Sequence, residues 1–141
     1  MEYILNIVIV LLVVFLNGFF VAAEFAIVKV RMTQIEPLVA RGNRRARVAR
    51  EVISHLDLYL SATQVGITMT SLALGWIGEP LVASKLQPLF QSAGIESEKL
   101  IHGISYAVAF LLITALHIVL GEQAPKWLAI QKPSATTLWV A

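Results

Sequence analysis

Residues Tyr3–Ala23, YILNIVIVLLVVFLNGFFVAA, run for 21 positions without a formal charge. At about 1.5 Å of rise per residue, a helix of that length crosses the roughly 30 Å hydrocarbon core of a bilayer. A backbone in lipid must satisfy its own hydrogen bonds, so the stretch reads as a transmembrane helix. It does not read as a signal peptide, because Glu2 stands where a positive start is usual and the apolar run is too long. Two further charge-free runs follow, 21 residues between Asp57 and Glu79 and 22 between Lys99 and Glu122. We expect spans over about 3–28, 58–82 and 100–124. The second run is the weakest: it holds Ser61, Thr63, Gln64, Thr68, Thr70 and Ser71 together with Gly66, Gly75 and Gly78, so a broken or re-entrant helix is considered there.

Composition agrees with a membrane protein. Hydrophobic residues make up 57% of the 141 positions and charged residues only 14%, with a mean hydropathy of +0.76. A soluble domain carries roughly 25% charged residues, and a disordered chain is far less apolar. The absence of cysteine excludes a disulfide scaffold, a thiolate metal site and a cysteine nucleophile. The three histidines lack the spacing of zinc ligands. No nucleophile–base pair, glycine-rich phosphate loop or paired-carboxylate motif is visible, so no enzyme is expected. No internal repeat is evident.

Charge sets the expected orientation. Lys29–Arg50 holds seven of the eleven basic residues against the single acid Glu36, a local balance of +6 in a chain of net +2. By the positive-inside rule the connection 29–56 is cytoplasmic, which places the N-terminus outside and the end of the third span inside. The fold class is therefore all-α integral membrane, with three transmembrane helices, N-out and C-in, in the cell (inner) membrane. Residues 44–56, RRARVAREVISHL, place Val48, Val52 and Leu56 on one side of a helix. They read as part of a juxtamembrane amphipathic belt whose arginines face anionic lipid. Nucleic-acid binding is disfavoured, because no aromatic residue lies in the patch and topology already accounts for its charge. After Lys132-Pro133-Ser134 an apolar helix begins over 133–141 and stops mid-pattern, which leads us to expect continuation into cytoplasmic domains.

Polar groups inside spans are costly and so raise functional hypotheses. Asn17 and Glu24 stand seven residues apart and share a helix face. Glu24 reads either as an interfacial carboxylate paired with Lys29 or Arg31, or as a gating or second-cation group. Ser61, Gln64, Thr68, Ser71 and Gly75, spaced 3, 4, 3 and 4, form one stripe at about 100° per residue. Interhelical hydrogen bonding and an ion-lined path both account for that stripe. Thr63 and Thr70 lie on other faces and can bond back to their own helix. In the third span Thr114, His117 and Gly121 share a face, with His117 read as a packed or interhelical histidine. Pro125 cannot donate to the carbonyl of Gly121. A kink there would leave that carbonyl beside Glu122, an oxygen pair suited to a hard cation such as Mg²⁺ or Na⁺. The alternative is a helix end with a solvated Glu122 paired to Lys126.

Three segments together resemble one family: Asn17–Ala26 (NGFFVAAEFA), Leu60–Thr68 (LSATQVGIT) and Gly121–Lys126 (GEQAPK), with Ser71–Pro80 (SLALGWIGEP) in support. The chain is similar to the transmembrane domain of the CNNM/CorC magnesium transporters, the hemolysin-like proteins, from about Leu12 to Ala141. The resemblance implies a homodimer with cytoplasmic CBS domains further along the chain, exporting Mg²⁺ coupled to Na⁺ entry. It also implies a dehydrated Mg²⁺ between the helices. By motif, Glu122 matches the family's Gly-Glu-x-x-Pro glutamate, Ser61 and Gln64 its second-helix Ser and Asn, and Thr68 a second Asn position. Asn17 matches the first of two first-helix serines. The second falls on Val21, which cannot ligate, and Gln64 is one methylene longer than Asn. Mg²⁺ needs near-octahedral oxygens at about 2.0–2.1 Å, so a carbonyl or water must replace what is missing. The implied cation set is Asn17, Ser61, Gln64, Thr68 and Glu122, to which the reading of polar groups in the spans adds Glu24, Ser71 and Gly121 for gating or a second cation. The competing function is a membrane anchor or sensor that dimerises and positions the CBS domains without transporting.

Overall fold

A computed structural model describes residues Met1–Ala141. Seven α-helices run in the order α1 (Glu2–Lys29), α2 (Met32–Ala40), α3 (Arg44–Ser54), α4 (Leu56–Ser92), α5 (Glu98–Leu116), α6 (Ala124–Gln131) and α7 (Pro133–Val140). A π-helical turn, His117–Gln123, joins α5 to α6 without a break. Three units are long and apolar enough to cross a membrane: Glu2–Lys29, Leu56–Ser92 and Glu98–Gln131.

Two spans overrun their expected limits. The second is one continuous helix of 37 residues reaching Ser92, with Pro80 and Pro88 inside it, rather than a broken or re-entrant segment ending near 82. Two of its three glycines, Gly66 and Gly78, have a packing partner on another span instead of a helix break. A Cβ on Gly66 would stand 2.7 Å from the Phe20 ring, and one on Gly78 3.0 Å from Ile113 Cδ1. The third span runs to Gln131, beyond the expected 124, because the π turn absorbs Pro125 and the helix carries on. Inserting a π turn lets the carbonyls near a proline shift register instead of stopping the helix.

Helix α1 is the central element. Its buried residues Val10, Val14, Asn17 and Val21 recur at helical spacing. Val10 and Val14 form a core with Leu74 of α4 and Ile113 of α5. The third span packs on α4 through α5, and on α1 through the π turn and α6. That change of partner at the π turn brings all three spans together around Asn17.

The basic connection folds into two helices, and α3 turns a face of alanines inward. Asn43 caps α3 by accepting from Ala46 N at 3.1 Å. Ala46 and Ala49, both 0% exposed, pack with Val30 and Ile35 and against Leu138 of α7. Val48 is exposed, whereas Val52 on the same side of the helix is buried. Alanines let α3 approach its neighbours more closely than a valine face would. Arg44, Arg45, Arg47 and Arg50 all remain exposed.

Candidate functional site

Asn17 is a large polar side chain with no exposed surface, held in the middle of the bundle. Its Nδ2 donates to the carbonyl of Gly121 at 2.9 Å. That carbonyl can only accept, so the orientation of the amide is determined by its partner. Asn17 Oδ1 then accepts from Thr70 Oγ1 at 2.7 Å and from Ser71 Oγ at 3.4 Å. Ser71 Oγ lies 3.2 Å from His117 Nε2. One amide therefore ties α1 to α4 and to the π turn, and His117 is an interhelical histidine.

The local sequence explains why this approach is close. Pro125 has no amide to offer the preceding turn, which leaves the Gly121 carbonyl open to a side-chain donor. A Cβ on Gly121 would stand 3.0 Å from His117 Cδ2 and 3.1 Å from Asn17 Nδ2, so a larger residue would push these side chains back and lengthen the contact. Gly18 plays the same part on α1, where a Cβ would stand 3.0 Å from Pro125 Cγ.

Toward the basic end, Glu24 and Glu122 line a common cavity of about 200 Å³ with Val21, Phe25, Ile67, Gln123 and Lys126. Neither carboxylate has an ion-pair partner. Lys126 Nζ sits over the Phe25 ring at 4.7 Å, and no bridge joins Glu24 to Lys29 or Arg31. Gln64 Nε2 approaches Glu24 Oε1 at 3.5 Å, a long contact. No group of three or more His, Cys, Asp or Glu is clustered as a metal cage.

The expected site residues divide accordingly. Asn17, Ser71 and Gly121 meet in the inner network, while Glu24 and Glu122 line the cavity near the basic end and Gln64 reaches only Glu24, through the long contact. Ser61 and Thr68 do not join Asn17. Their hydroxyls donate to the Asp57 and Gln64 carbonyls of their own helix, and both face an open groove with Gln64 and Met69. The reason lies in the buried face of α4, which is Thr63, Thr70, Leu74 and Gly78. The polar stripe lies about one residue step, roughly 100°, round the helix from that face, so only its edge residues reach the bundle.

Thr70 is the residue the sequence reading missed. It does bond back to its helix, at 2.9 Å to Gly66 O, but it also reaches Asn17. The available signal was its place at helical spacing with Thr63, Leu74 and Gly78, a row of small and apolar residues that marks a packed face.

Comparison with known proteins places the chain in a family. The family model described as the cyclin M (CNNM) transmembrane N-terminal domain matches residues 7–141. Similar proteins include the UPF0053 protein YugS of Bacillus subtilis (strain 168), 48% identical over 138 residues, which are 98% of this chain and 32% of that protein. The UPF0053 protein YhdT of the same strain is 49% identical over 141 residues, 100% of this chain and 30% of that protein. The uncharacterized protein Rv1841c of Mycobacterium tuberculosis (strain ATCC 25618 / H37Rv) is 34% identical over 138 residues, 98% of this chain and 39% of that protein. The chain thus spans about a third of the length of the curated relatives it matches. No solved structure matches it.

Proposed function

Since the chain belongs to the CNNM transmembrane-domain family, we propose that it forms the membrane part of a cation transporter that exports Mg²⁺ and couples export to Na⁺ entry. The observation that carries the proposal is the oxygen cluster at Asn17. Oδ1 of Asn17 lies 2.7 Å from Thr70 Oγ1 and 3.4 Å from Ser71 Oγ. Neighbouring ligands of an octahedral Mg²⁺ at about 2.1 Å stand about 3.0 Å apart, so the spacing suits that ion. The unpaired carboxylates Glu24 and Glu122 supply the charge that offsets dehydration at the cavity near the basic end.

The residues divide the work. Glu24 and Glu122 draw the cation into the span from the cytoplasm. Asn17 lies seven residues from Glu24, about 10 Å deeper along α1. Thr70 carries one hydroxyl proton and faces three acceptors: Asn17 Oδ1 at 2.7 Å, Gly66 O at 2.9 Å and Ile67 O at 3.1 Å. Turning that proton to Gly66 frees oxygens of Thr70 and Asn17 for the ion while Thr70 keeps a hydrogen bond. In the same reading, a second copy covers the exposed Ser61–Gln64–Thr68 groove, because an uncovered amide within a span is costly. The same reading places cytoplasmic CBS domains further along the full-length chain.

The test is Mg²⁺ flux in liposomes with and without a Na⁺ gradient, alongside equilibrium Mg²⁺ binding. Glu122→Gln is expected to abolish both while the protein still folds, and Glu24→Gln to weaken them. Wild-type binding by Glu122→Gln would remove the site. Flux unaffected by the Na⁺ gradient would remove the coupling. Folded protein with no flux at all would favour the anchor.

A further inference from the structure

A long trough runs down the lipid-facing side of the bundle between α1 and α6. Its floor is made of small residues, Gly18, Ala22 and Ala124, and its walls include Phe15, Leu120 and Leu128. The volume is about 410 Å³. A second cavity of about 200 Å³ shares Ala22, Leu128 and Trp139 with it and ends at Lys132 and Thr136. The two form one channel that begins at Leu11, near mid-membrane, and ends at a lysine on the basic side.

We infer that this trough is a binding site for one acyl chain of an inner-leaflet phospholipid, whose phosphate is held by Lys132. Three observations select that occupant. The first is length: Leu11 to Ala22 spans eleven residues, about 16 Å, which matches one leaflet of a roughly 30 Å core. The second is width. The larger cavity holds about 410 Å³ along about 16 Å of helix and is open on its lipid side. Room of that size between Phe15, Leu120 and Leu128 takes a hydrocarbon chain, which is thinner than a helix of about 10 Å diameter. The third is polarity along the channel, which is apolar until it reaches exposed Lys132 at the same end as Trp139, itself 59% exposed. Tryptophan and lysine are the side chains that sit at headgroup level. The chain would lie against Gly18 and Pro125, directly behind the turn that presents the Gly121 carbonyl to Asn17.

The inference is independent of the transport proposal, and its test reads lipid and not ions. The purified chain is stripped in mild detergent, then titrated with phosphatidylglycerol, phosphatidylcholine or a diacylglycerol of the same chains, and bound lipid is counted by native mass spectrometry. One phospholipid per chain is expected, with diacylglycerol weaker by about five-fold for want of the Lys132–phosphate contact. Lys132→Gln should erase that difference. Ala124→Phe should fill the trough and weaken every lipid by about tenfold, the equivalent of roughly two buried methylenes. Leu112→Phe adds the same kind of bulk on an exposed face of α5 and should change nothing. Equal preference of phosphatidylglycerol and phosphatidylcholine over diacylglycerol supports a phosphate contact, and a phosphatidylglycerol-only preference supports one strengthened by net headgroup charge. No stoichiometric lipid, or wild-type binding by a folded Ala124→Phe, overturns the site. So does efficient disulfide formation between copies through Phe15→Cys, which would place a second copy in the trough.

Discussion

Replacing Asn17 with leucine keeps the branching and number of heavy atoms while removing every hydrogen bond at the centre of the bundle. Asn17 makes two short interhelical bonds, 2.9 Å to Gly121 O and 2.7 Å from Thr70, and one long one of 3.4 Å from Ser71. Interhelical hydrogen bonds in membranes average about 0.6 kcal/mol, so the two short ones contribute about 1.2 kcal/mol. The Gly121 carbonyl is then left without a donor beside Pro125, which adds about 1–3 kcal/mol. Thr70 and Ser71 lose less, because Thr70 can turn to Gly66 O at 2.9 Å and Ser71 keeps His117 at 3.2 Å. The total is roughly 2–4 kcal/mol, or about 6–12 °C at roughly 3 °C per kcal/mol for a chain of this size. Thermal unfolding in detergent, followed by circular dichroism, measures it. Thr70→Val removes a single interhelical bond and should cost about 0.6 kcal/mol, near 2 °C. Thr63→Val is the control, since Thr63 donates only to Leu60 O in its own helix. The reasoning is refuted if Asn17→Leu unfolds within 2 °C of wild type, or if Thr63→Val is as damaging.

Three other outcomes follow from the same structure. A cysteine at Arg45 should react with an impermeant maleimide only from the cytoplasmic side and one at Ser92 only from outside, and the reverse labelling would invert the topology. Gly66→Ala places a Cβ 2.7 Å from the Phe20 ring and should destabilise by about 1–3 kcal/mol in the same unfolding assay, whereas a neutral result would mean that the α1–α4 contact yields freely. Ser105 is fully buried with an unpartnered hydroxyl, so Ser105→Ala should leave the midpoint unchanged or raised, and a clear loss would reveal a bond the structure does not contain.

The three spans, their order and the basic connection were legible in the sequence, because the cost of placing charge and bare backbone in hydrocarbon is paid residue by residue. Lys29–Arg50 and the charge-free run at Tyr3–Ala23 carry that information with no partner needed. Asn17, Ser71 and Gly121, which the structure brings together, also stood out in the sequence, since a polar or helix-weakening residue in a span contrasts with its neighbours. What the pattern did not decide was which face of α4 turns inward. Its polar stripe at Ser61, Gln64 and Thr68 looked like the lining of a path, yet the packed face is Thr63, Thr70, Leu74 and Gly78. In lipid, apolar residues face outward and inward alike, so periodicity alone does not assign the interior. Steric fit does: Gly66 admits the Phe20 ring, Gly78 admits Ile113, and together they rotate α4 until Thr70 meets Asn17. The fate of Pro125 was settled the same way. The sequence predicts a disturbed helix there; in the structure the disturbance is a π turn, with Pro125 packed against Gly18, that hands the Gly121 carbonyl to an amide on another span.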